Sequence, residues 1–114
     1  MQLPNFEAAI VPKEKIVDYL LSLTHPKGRT KAQFLMVFGF SADDWQILAE
    51  ALIAHAKTHE VVKIENTPFG DSYLIEGLIE TPSGRTPNIR VVWFIDNGQD
   101  KPRLATAYPL ESRD

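Results

Sequence analysis

The sequence predicts an α+β domain in which two to three N-terminal helices pack on one face of a four-stranded antiparallel sheet. Three observations predict it. Apolar residues recur at helical spacing up to about residue 58 and at strand spacing afterwards. The strand-like segments are joined by stretches too short for a parallel crossover. Those stretches, TPFGD, TPSGRTP and NGQDKP, are made of residues that reverse a chain. Helices first and a meander afterwards is a layout in which the helices cover one sheet face.

Taken in order, VPKEKIVDYLLSL reads as a helix. Pro12 suits its first turn, and Ile16, Tyr19, Leu20 and Leu23 recur at helical spacing. The pair His25-Pro26 ends it, because the residue before a proline avoids the helical region. RTKAQFLMVFGF reads as a second, short helix with Phe34, Leu35 and Phe38 on its apolar face and Gly39 as its stop. SADDWQILAEALIAHAKTH is the clearest helix. Ser41 is its expected N-cap, Asp43 and Asp44 favour its first turn, and Trp45, Leu48, Leu52 and Ala56 form its stripe. EVVKIEN is the first strand. SYLIEGLIE is the second, with Tyr73, Ile75 and Ile79 on one face and Glu76 and Glu80 on the other. NIRVVWFID, apolar on both faces, is expected to lie inside the sheet, and RLATAYPL is the last strand.

The 114 residues suit one domain, 1–114, with helices about 13–58 and the sheet about 60–108. The chain has no cysteine, which excludes a disulfide framework, a thiolate metal site and a thiol nucleophile. No apolar run approaches the ~20 residues of a membrane span, and the N-terminus lacks the pattern of a signal peptide, so no membrane partner and a cytoplasmic location are expected. The net charge of −3 is uneven. Residues 1–40 hold five cations and three acids, residues 41–80 two cations and eight acids, and residues 81–114 five cations and four acids. That balance argues against general nucleic-acid affinity but allows a local anion site built from the two ends.

The stretch THPKGRTKAQF gathers His25, Lys27, Arg29 and Lys31 with no acid. His25 reads either as a helix-terminus residue bonded to the last carbonyls or as a general acid or base beside a phosphate. Lys27, Arg29 and Lys31 read either as solubilising charges or as phosphate ligands, with Arg29 and Thr30 at a helix start. Arg90 interrupts an apolar strand and calls for a partner: Glu76, Glu80 or a bound anion. Thr106 and Tyr108 are expected on one face of the last strand. His55 and His59 stand one helical turn apart but lack a third ligand, and they read as partly exposed helix residues. Trp45 and Trp93 read as core. No metal site and no cofactor are expected.

Four blocks carry a resemblance. They are LPNFEAAIVPKEKIVDYLLSLTHPKGRTKAQFL, GFSADDWQILAEAL, TPFGDSYLIEGLIETPSGRTPNIRVVWFID and PRLATAYP, which together span Leu3 to Pro109. The chain resembles an uncharacterised bacterial domain family found as stand-alone proteins and as C-terminal modules of polymorphic toxins. The specific element is Tyr19, Leu20, Leu21, His25, Pro26, Gly28, Lys31 and Phe34. The family in turn resembles metal-independent ribonuclease toxins of the colicin/RelE-like fold. The resemblance implies a toxin of a toxin–antitoxin-like pair, with RNA as substrate and a small acidic antitoxin-like protein as partner; it leaves a homodimer open. With that substrate class, His25 is expected to move protons, Lys31 and Arg90 to hold the phosphate in the catalytic group with Tyr108, and Lys27, Arg29 and Thr106 to bind substrate. The alternative is a non-enzymatic regulatory domain that binds protein or nucleic acid.

Overall fold

The computed structural model describes residues 1–110; the last four residues of the expected 1–114 domain lie outside them. After a 3-10 turn at Phe6–Ala8, helix α1 opens at Lys13–Lys15 with Pro12, φ −62°, as its N-cap. It then widens into a π-helical segment, Ile16–Leu20, in which Leu21 N–H donates to the Ile16 carbonyl at 2.7 Å. The regular helix expected over 11–23 is therefore shorter and locally wound with five-residue closure, a geometry often found at functional sites. Ile16 and Leu20 are buried, and Tyr19 is left half-buried beside the sheet.

Helix α2, Arg29–Val37, buries Ala32 and Leu35. It ends at Gly39, whose φ of +96° suits the left-handed C-terminal turn. Helix α3, Trp45–Thr58, starts later than expected. Asp44 occupies its N-cap position, and the Ser41 hydroxyl accepts from Asp43 N–H at 3.2 Å in the turn before. Trp45 is half-buried rather than core, with Lys13 Nζ 5.9 Å from its ring centre.

Strands β1 (Val61–Thr67), β2 (Gly70–Leu78), β3 (Asn88–Asp96) and β4 (Arg103–Pro109) form one antiparallel sheet in chain order. The internal position expected for NIRVVWFID is that of β3. One sheet face presents Ile75, Ile89, Val91, Trp93, Leu104 and Ala107 to the helices' Ile16, Leu20, Leu35, Leu48, Leu52 and Ala56, and this apolar layer is the core.

Plain alternation along β4 would put Leu104, Thr106 and Tyr108 on the same face. The register does otherwise. Trp93 faces Leu104 while Val92 faces Thr106, so Ala105 is an extra residue in the edge strand. This bulge lets Leu104 and Ala107 both point into the core and turns Thr106 and Tyr108 to the opposite, open face beside Arg90.

His55 is a correction to the sequence reading. It is buried at 2% exposure, not partly exposed. Its Nε2–H donates to the Gly77 carbonyl at 3.1 Å, and its ring stacks on His59 with centroids 4.4 Å apart. Gly77 is required there, because a Cβ would lie 2.1 Å from the His59 ring.

Burial, with the charge of His59 adding to it, pushes His55 down from 6.5 to about 4 against the opposing Gly77 hydrogen bond. A base depressed in the folded state is neutral there while the unfolded chain takes up a proton. Stability is thus full above about pH 6.5 and falls as pH drops toward 4, by at most about 3 kcal/mol. Thermal unfolding across that window should show this loss, and His55→Gln should flatten it; an equally steep loss in the variant would assign it to other groups. Gly28→Ala tests the other tight contact. A Cβ at Gly28 would lie 2.0 Å from the Tyr19 carbonyl oxygen. The variant should lose about 1–3 kcal/mol, read as a drop of several degrees in melting temperature. An unchanged melting temperature would mean the turn yields freely.

Candidate functional site

Tyr19 is the hub of a polar cluster where the π-helical segment and α2 meet the edge strand β4. Lys31 Nζ donates to its hydroxyl. An ammonium has no lone pair to accept with, so the phenol hydrogen is directed to its other neighbour, Thr106 Oγ1, at 2.9 Å. Lys31 Nζ stands 4.8 Å from the Tyr19 ring centre and 6.0 Å from that of Tyr108, and Lys15 Nζ stands 5.4 Å from Tyr19. Burial pushes the Tyr19 phenol up, but the hydrogen bonds with Lys31 and Thr106 and the charges of Lys31 and Lys15 outweigh it, so its pKa lies below the ordinary 10.0.

Tyr108 continues the cluster along the open face. Arg90, its cross-strand partner, donates from Nη1 to the Tyr108 hydroxyl at 3.1 Å and stands 5.6 Å from its ring centre. Arg90 Nε donates to Glu76 Oε2 at 2.7 Å, and its Nη2 reaches the same oxygen. The bonds to Tyr108 and Glu76 hold the guanidinium further toward its charged form. The partner that the sequence demanded for this strand cation is therefore Glu76, with two-thirds of both side chains covered.

His25 packs edge-on against the Tyr19 ring at 4.9 Å. Its Nδ1 accepts from Lys27 N–H at 3.0 Å and from Gly28 N–H at 2.9 Å, which closes the turn into α2. With Nδ1 used twice as an acceptor, the neutral ring carries its hydrogen on Nε2. The helix-terminus role of His25 is thus to cap the start of the next helix rather than to bond the carbonyls of the last.

The structure brings His25, Lys31, Arg90, Thr106 and Tyr108 into one connected group. It does not bring in Lys27 and Arg29, which are exposed on the turn and the first residue of α2. Among the described residues no carboxylate pairs with Lys27, Arg29 or Lys31. Sequence reasoning missed Tyr19, which it placed in an apolar stripe. A signal existed: Lys15 stands one helical turn before it, and it opens the resemblance's most specific block.

Among the described residues no three His, Asp or Glu side chains gather as a metal site. A groove of about 820 Å³ between α3 and the β2–β3 connection shares no residue with the cluster. Its charged lining is Glu50 and Glu80, which disfavours an anionic ligand. No helix among the described residues is long and apolar enough to cross a membrane.

The helix-then-meander α+β fold thus sets a hydrogen-bonded tyrosine and a lysine with no carboxylate partner among the described residues at one sheet edge, the frame of a small α+β domain. The chain belongs to the DUF6883 family, a domain of unknown function, whose model matches residues 2–111. No curated protein matches the chain. Among solved structures, a chain of the contact-dependent growth inhibition toxin–immunity protein complex from Klebsiella pneumoniae 342 shares the fold, with a TM-score of 0.72, 21% identity, and coverage of 94% of this chain and 97% of that one.

The geometry makes a spectroscopic prediction. In a protein with isotope-labelled tyrosine, the Tyr19 Cζ resonance should titrate below pH 10, and Lys31→Ala should move that titration upward because the stabilising cation is gone. A Tyr19 that titrates like a free phenol in the wild type would remove the basis for any special chemistry at this hydroxyl.

Proposed function

We propose that this domain is a metal-independent ribonuclease toxin that cleaves RNA at the Tyr19–Lys31 corner and is held in check by an immunity-type partner. The observation that carries the reading is the Tyr19 hydroxyl, clamped between Lys31 and Thr106 with a lowered pKa. The fold shared with a chain of a toxin–immunity protein complex supports the toxin part.

The chemistry follows from the atoms present. Tyr19 in its phenolate form takes the proton of the ribose 2′-hydroxyl. The 2′ oxygen attacks phosphorus, the bond from phosphorus to the 5′ oxygen breaks, and the products are a 2′,3′-cyclic phosphate and a 5′-hydroxyl. Lys31 supplies the proton that the leaving oxygen takes up. The Tyr19 hydroxyl then returns one to Lys31 along their hydrogen bond, which resets the pair. Arg90 and the Nε2–H of His25 stabilise the added negative charge on the phosphate oxygens. Tyr108 orients Arg90, and Thr106 orients Tyr19. Lys27 and Arg29 stand outside the reacting group and hold neighbouring phosphates.

A cell that makes such an enzyme needs an inhibitor. The exposed cations Lys27 and Arg29, with Lys31 behind them, favour a small protein with an acidic face that associates fast at low salt. A non-enzymatic, protein-binding reading has one observation in its favour: Arg90 is already neutralised by Glu76.

Cleavage of bulk RNA by the purified domain separates the two. The activity should persist in EDTA, fall by about a hundredfold or more in Tyr19→Phe and Lys31→Ala, and fall in Arg90→Ala, with folding verified by circular dichroism. Undiminished cleavage by Tyr19→Phe, or loss in EDTA with recovery on added Mg²⁺, would overturn the mechanism. No cleavage by the wild type would leave the binding reading. Arg29→Glu combined with Lys31→Glu should weaken RNA binding and inhibitor binding together; retention of both would place the anion site elsewhere.

A further inference from the structure

The open face of the sheet carries a feature that the proposed chemistry does not use. Phe94 and Arg103 face each other across β3 and β4, with the guanidinium carbon 5.0 Å from the ring centre. Asp96 grips Arg103 at two points, Nε to Oδ2 at 2.8 Å and Nη2 to Oδ1 at 3.2 Å. Arg103 and Asp96 are 43% and 42% exposed, so the ion pair contributes little to stability. Four residues earlier on β3 the same motif recurs: Arg90 lies against the Tyr108 ring and is gripped by Glu76. Residues four apart on a strand share a face and stand about 13 Å from each other. The two aromatic–guanidinium pairs therefore form a row that starts at the proposed catalytic corner and runs along the open face.

We propose that the Phe94–Arg103 pair is a base-stacking station, and that the substrate is single-stranded RNA laid across β3 and β4 with its scissile phosphate at Lys31 and Arg90. This rests on the ribonuclease reading. Three arguments support it. A span of about 13 Å is one that a few nucleotides of extended single strand bridge. Phe94 presents a flat π-surface braced by Arg103, whose Nε and Nη2 are held by Asp96, and such a surface is what an unpaired base takes whatever its identity. In a duplex the base faces are stacked on one another and are not offered to the protein.

The charge distribution separates this station from the corner in an experiment. Phosphate contacts set the salt dependence of binding, and stacking does not. The probe is a fluorescently labelled oligoribonucleotide bound to the Tyr19→Phe protein, as a single strand and annealed to its complement. In that background Phe94→Ala should weaken single-strand binding by about 5- to 100-fold with the slope against salt unchanged, and Phe94→Tyr should restore it. Phe94→Leu, which keeps the apolar contact with the sheet, should lose binding as well, so a folding loss is distinguished from a stacking loss. Lys31→Ala should make the salt slope shallower. The duplex should bind more weakly than the single strand. If Phe94→Ala and Phe94→Leu bind like the parent while Lys31→Ala weakens binding, the ribonuclease reading stands and the stacking station falls. Equal binding of duplex and single strand also overturns the station. If no variant binds any RNA, it falls together with the ribonuclease reading.

Discussion

The hydrogen bond from Lys31 to the Tyr19 hydroxyl is the contact on which the rest of the site depends. It joins the π-helical segment to α2, and through Thr106 it fastens both to the edge strand β4. Each partner restricts the other. Lys31, unpaired with any carboxylate among the described residues, spends its charge on two aromatic rings and one hydroxyl. Tyr19 is held in one direction by an ammonium that only donates, which fixes where its own hydrogen points. A cation, a phenol and a threonine in this order form a short hydrogen-bonded chain whose direction is set by the ammonium at one end.

Three local departures from regular structure bring these groups together. The π-helical closure at Ile16–Leu20 buries Ile16 and Leu20 and leaves Tyr19 at the sheet edge. Gly28 lets the turn before α2 pass against the Tyr19 carbonyl, where a side chain would collide. The extra residue Ala105 turns Thr106 and Tyr108 to the open face while Leu104 and Ala107 stay in the core. Irregularities at an edge strand commonly re-aim side chains in this way. The core accommodates all three beneath the unbroken β2–β3 register that carries Ile75, Ile89, Val91 and Trp93.

Much of the architecture was legible in the sequence. The change from helical to strand spacing near residue 58, the three turns and the internal place of NIRVVWFID all follow from patterns of period and turn residues. The resemblance around HPKGRTK was the guide to His25 and Lys31, while Arg90 stood out as a cation in an otherwise apolar strand. What was not legible depended on geometry that no local pattern encodes. A π-helical turn has no sequence signature of its own, so Tyr19 read as one more apolar stripe residue. His55 read as partly exposed because its burial depends on Gly77, which is 22 residues away in a different strand. The role of His25 changed for a similar reason: its Nδ1 is taken by two backbone N–H groups that only the folded turn presents.

The central claim is that Tyr19 carries the proton in RNA cleavage, and the pH profile of single-turnover cleavage tests it most directly. The account predicts a rate that rises with pH along a limb whose midpoint lies below the ordinary 10.0 of a phenol, and that moves upward when Thr106→Ala removes one of the bonds stabilising the phenolate. A profile that is flat in this range, or a limb that stays in place in both Thr106→Ala and Tyr19→Phe, would contradict it.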